Sequence, residues 1–87
     1  MADKLRNASD LLASASTDAA AHGDRLSTLA TQLSEMASGE KHADHGGLAR
    51  IQAALDQIQP DVSDEVAATI EQARDEISDY RETIEGV

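Results

Sequence analysis

The sequence predicts an all-α protein, an antiparallel helical hairpin completing a four-helix bundle. Three observations predict it. Apolar or small residues recur in alternating steps of three and four over long stretches. Stop and start signals at Ser38-Gly39 and Pro60 cut those stretches into segments of helical length. When the chain is folded back at the first of these stops, large side chains meet small ones level by level.

The first helix is expected from Asp3 to about Ala37. Leu5, Ala8, Leu12, Ala15, Ala19, His22, Leu26, Leu29, Leu33 and Met36 keep the three-four phase without a slip. Such a helix would be roughly 50 Å long at ~1.5 Å per residue. Gly23 costs about 1 kcal/mol against alanine inside it, and Asp24 could cap a new helix. The unbroken phase favours continuity, and the Gly23-Asp24 pair favours a kink or break there. Ser38-Gly39 ends the segment, with Gly39 suited to the left-handed position beyond a helix. Residues 40–47 read as a polar loop, with Asp44 as N-cap of a second helix over about 46–59. That helix carries Leu48, Ile51, Leu55 and Ile58 and is ended by Pro60. A third helix, about 62–85, starts near Asp61 or Ser63. It carries Val66, Ile70, Ala73, Ile77, Tyr80 and Ile84, and Arg81 has Glu85 at i+4.

Folding the chain so that facing residue numbers total about 85 sets Ala8 against Ile77, Leu12 against Ala73, Ala15 against Ile70 and Ala19 against Val66. Alternation of large and small is what void-free helix packing requires. The whole chain, 1–87, then forms one helical domain. A hairpin with one continuous leg hides only a narrow stripe, so a homodimer of two hairpins is the expected way to finish the bundle. A break at Gly23 would let one chain close it alone.

Seventeen acidic residues face seven basic ones, a net charge of −10, and only Lys4 and Lys41 are lysines. Alanine supplies 16 residues, Tyr80 is the only aromatic, and cysteine is absent. These facts exclude a disulfide scaffold, a zinc-thiolate centre, a cysteine nucleophile and an aromatic platform for stacking bases. Asp-rich, Ala-rich and Lys-poor composition together resemble proteins of salt-in halophiles, with the acids forming a solvated skin. The start Met1-Ala2-Asp3-Lys4 fits no signal peptide, and no stretch approaches the ~20 apolar residues of a membrane span. A cytoplasmic protein is expected.

Chemistry-bearing residues cluster once, in the loop, where Glu40, His42, Asp44 and His45 stand together. His42, His45 and Asp44 form a candidate site for a divalent ion such as zinc, nickel or copper. The competing reading is a solvated loop whose Asp44 only caps a helix. His22 sits in the seam, either as a pH-responsive group or as a partly exposed residue where the helix loosens. Glu71, Asp75, Asp79 and Glu82 make one acidic stripe, either a docking face for a basic partner or a hydrated surface. Tyr80 is expected to pack opposite Leu5, with its hydroxyl at the wet end. No Gly-x-Ser-x-Gly turn and no phosphate-binding loop occurs, so an enzyme is not expected and no cofactor is implied. The seven basics are spread along the sequence, so nucleic acid binding is not expected either.

The segment Asp44-His45-Gly46-Gly47-Leu48-Ala49-Arg50-Ile51 and the ending Tyr80-Arg81-Glu82-Thr83-Ile84-Glu85-Gly86-Val87 resemble small acidic helical proteins of haloarchaea, a family of unknown function. In that family a basic residue often follows Asp-His-Gly, where this chain has Gly47. The resemblance implies a halophilic habitat and a helical fold. The expected function is non-enzymatic protein–protein interaction, by self-association and with a further protein. A metal-responsive role for the 40–45 loop is the alternative.

Overall fold

The computed structural model describes residues 3–84. It is a bundle of four helices, α1 (Asp3–Ser16), α2 (Gly23–Ser38), α3 (His45–Ile58) and α4 (Asp64–Arg81). Two three-residue 3-10 turns, Ala20–His22 and Gln59–Asp61, lie between α1 and α2 and between α3 and α4. None of the described helices is long and apolar enough to cross a membrane.

The expected continuous first helix is two helices. The break falls at Thr17 to His22, just upstream of the Gly23 where the sequence signal stands. Its causes are local. Ser16 and Thr17 turn their hydroxyls back onto the carbonyls of Ala13 and Ser14, at 2.7 and 2.9 Å. Short polar side chains compete in this way with the next turn of helix. Asp18 N–H then closes a tight turn on Ala15 O, and Ala20 adopts the left-handed conformation, with φ at 51°. Gly23 has an ordinary helical φ of −58°, so conformational freedom is not what requires glycine there. Proximity is: a Cβ at Gly23 would lie 2.7 Å from the Ser16 carbonyl oxygen. Ala19 remains buried in the core. The turn is thus just long enough to keep the three-four phase on both sides, which is why the sequence reads as one helix.

The other boundaries follow the sequence signals. Gly39 takes φ 89° after α2, Asp44 accepts from Gly47 N–H at 2.6 Å, and Ser63 accepts from Val66 N–H at 3.2 Å. Helix α4 ends at Arg81, short of the expected 85. The Arg81–Glu85 pair falls outside the described residues.

One core runs through all four helices, from Leu5, Leu12, Leu26 and Leu33 to Leu48, Leu55, Ile70 and Ile77. Ala8, Ala15 and Ala73 are buried among them. Polar pairs record the register. The numbers of facing residues add to 83 at Lys4–Asp79, Asn7–Glu76 and His22–Asp61, and to 82 at Arg25–Gln57. The head-to-tail arrangement expected from the sequence is therefore present, about two residues from the anticipated register. With the first leg divided, α1 packs along both α2 and α4, the arrangement expected if the leg broke near Gly23.

Candidate functional site

Side-chain size decides how close each pair of helices comes. Buried helix faces approach to ~8 Å when small residues line them and stand nearer ~10 Å when large ones do. Helix α1 presents Ala8, Ser9 and Ala15 and lies close to both α2 and α4. The buried hydroxyl of Ser9 donates to Ala30 O of α2 at 2.7 Å, which joins the two helices directly. At the other corner both buried faces are large: Leu26, Leu29 and Leu33 on α2, and Leu48, Ile51, Leu55 and Ile58 on α3. There the two backbones barely approach.

The result is a groove of about 520 Å³ between α2 and α3. Leu29, Met36, Ile51 and Ala54 form its apolar part. Met36 and Ala54 are only half-buried. A Cβ at Gly47 would lie 3.2 Å from Met36 Cε, so glycine there lets the start of α3 sit against the thioether at the groove's end. The rim carries Arg25, Lys41 and Arg50, all exposed, with His42 beside Lys41. Arg25 donates to the neutral Gln57 amide at 3.2 Å, and Lys41 lies 3.6 Å from Glu35. Among the described residues Arg50 makes no ion pair. The only carboxylate in the lining is Asp44, whose Oδ1 is engaged as the cap of α3. The lining thus carries a formal charge of +2, leaving −12 for the rest of the chain.

This gathering of three of the seven basic residues was not visible in a linear reading, where they look scattered. The fold-back register contained the signal. A total of 82 brings Arg50 level with Gln32, between Arg25 at one end of the groove and the Lys41 loop at the other.

The residues singled out in the loop separate. His42 and Asp44 line the groove, whereas His45, the first residue of α3, turns to α4 and accepts from Arg81 Nε at Nδ1, 3.3 Å away. Its Nε2 is buried without a hydrogen-bond partner. No group of three or more histidines and carboxylates converges on one point among the described residues. His22 is half-buried, with Nε2 3.8 Å from Asp61 Oδ2, and so links the two 3-10 turns at one end of the bundle. Tyr80 packs half-buried against the core.

The acidic stripe of α4 is divided among several contacts. Glu71 accepts from Gln59 at 2.9 Å, Asp79 faces Lys4 at 3.7 Å, and Asp75 lines a second, acidic hollow between α1 and α4 with Asp10 and Glu76. Arg74 belongs to a polar ladder fixing α3 to α4, in which its guanidinium donates to Gln52, Asp56 and Gln59 at 2.8 to 3.3 Å. The sequence gives no local hint of that ladder, because its members are 15 to 22 positions apart.

A family model matches residues 1–83, nearly the whole chain. The chain belongs to DUF7553, a family of unknown function. No curated protein and no solved structure shows significant similarity to it. The match covers all four helices and the loop carrying Lys41 and His42, so the groove of this DUF7553 member lies within the matched region.

Proposed function

We propose that this chain is a non-enzymatic protein–protein interaction module that works in the cytoplasm of a halophile at molar salt. The observation that carries the reading is the α2–α3 groove, a half-open seam of mixed polar and apolar lining with a cationic rim on an otherwise acidic bundle. It runs beside α2 from Arg25 to Met36, with its charged groups spaced along the rim. A reaction centre needs such groups converging on one reacting atom.

The salt dependence rests on the surface. Among the described residues only Asp56, Asp79 and Glu35 lie within ion-pair distance of a lysine or arginine, and Asp61 faces a histidine. The remaining acids repel one another in dilute buffer. The screening length falls from about 10 Å at ~0.1 M salt to about 3 Å at ~1 M. Stability in denaturant should therefore rise steadily as potassium chloride is raised through that range and beyond. A flat response would remove the halophilic part of the proposal.

The interaction part is tested by retrieving a tagged chain from its source cells in molar potassium chloride. A defined protein co-purifying in fixed proportion is expected. Repeated recovery of the bare bundle would contradict the reading.

A further inference from the structure

We propose that the α2–α3 groove receives an acidic amphipathic helix of a partner protein, an assignment that rests on the interaction reading and names the chemistry of its partner. Shape supports it first. The groove follows α2 from Arg25 to Met36, about 16 Å at ~1.5 Å per residue, which matches three turns of a docked helix. It is half-open to solvent, whereas small-molecule sites enclose most of their ligand. Half-buried Met36 and Ala54 supply the accessible apolar strip, backed by the buried Leu29 and Ile51, and the flexible thioether of Met36 adapts to the side chain laid against it. Apolar anchors at i, i+3 or i+4 and i+7 of an incoming helix would meet that surface.

Charge selects the partner. Arg25 stands at one end of the groove, Arg50 near its middle and Lys41 at the other end. The rest of the chain carries −12, so the groove, at +2, is the lined surface whose charge is complementary to an acidic partner. A basic partner would be drawn to the α1–α4 hollow with Asp10, Asp75 and Glu76, and away from this groove. At the ~3 Å screening length of molar salt only charges in direct contact still interact, so contact pairs with Arg25, Arg50 and Lys41 add to the hold of the apolar strip and set the identity and direction of the helix. Nucleic acid fits poorly, because three cations neutralise few phosphates and the surrounding acids repel the rest.

The test uses a displayed library of helical peptides selected against the folded chain in ~1 M potassium chloride. The selected peptides are then measured against wild type, Arg50→Glu and, as a distant control, Asp10→Arg. The account expects net-acidic peptides with apolar residues at helical spacing. Their affinity should fall at least about tenfold with Arg50→Glu, be unchanged with Asp10→Arg, and recover when the facing peptide acid is changed to lysine. Both substitutions fall on exposed helix positions, and matched melting curves confirm that the variants remain folded. A basic consensus, no enrichment, or binding indifferent to Arg50→Glu overturns the assignment. So does an oligonucleotide, or a second copy of this chain, that binds wild type and is lost with Arg50→Glu in place of an acidic helix. The two readings fail separately. A cellular partner that binds Arg50→Glu as well as wild type refutes the groove and leaves the interaction module standing. Absence of any cellular partner refutes the module.

Discussion

Gly23→Ala is expected to destabilise the fold by about 1–3 kcal/mol, the usual cost of forcing a methyl into filled space. The new Cβ would lie 2.7 Å from Ser16 O, a backbone atom at the end of α1 that cannot move away alone. Intrinsic preference runs the other way. Inside an uninterrupted helix the same change stabilises by about 1 kcal/mol. The sign of the effect therefore separates a hairpin turn from a continuous helix. For a domain of this size each kcal/mol moves the melting midpoint by about 4–8 °C, so thermal unfolding resolves the two. The test is best read at high salt, where charge repulsion does not obscure the steric term.

Ala15→Leu is the second large effect. Ala15 is 5 % exposed on α1, and α1 owes its close approach to its neighbours to small residues on that face. Three added carbons have no void to enter and must push α1 away from the bundle, at about 1–3 kcal/mol. Ala13→Leu on the exposed side of the same helix should stay within about 0.5 kcal/mol. If both substitutions behave alike, the packing face of α1 has been misread.

Much of this fold is legible in the sequence because its causes are short-ranged. Asp44, Ser63 and Gly39 act within a few residues of themselves, and the three-four spacing from Leu48 to Ile58 and from Val66 to Ile77 fixes which faces are buried. The head-to-tail direction of α1 and α4 was legible as well, although their register lies about two residues from the one that large-against-small pairing suggested. The division of the first leg was half legible. Gly23-Asp24 marks the neighbourhood, but the actual turn is built by Ser16, Thr17 and Ala20, and the buried Ala19 conceals it by preserving the phase. The groove was not legible. It arises from a difference in spacing between two seams, and its rim is assembled from Arg25, Lys41 and Arg50, which meet only once the chain is folded. The placement of the loop histidines was not legible for the same reason. Three positions apart in sequence, His42 and His45 line separate hollows, because α3 starts at His45.

Helices α1 and α2 fold back on each other within one chain, which leaves α2 free to form the groove with α3. The absence of native cysteine makes this directly measurable. Spin labels on cysteines replacing the exposed residues Asp10 and Thr31 report one intramolecular distance in the otherwise unaltered chain. The account predicts a separation below about 20 Å, as for side chains on neighbouring helices with axes ~8–10 Å apart. A single distribution centred at about 30 Å, the span of 21 residues of uninterrupted helix at ~1.5 Å each, would contradict it.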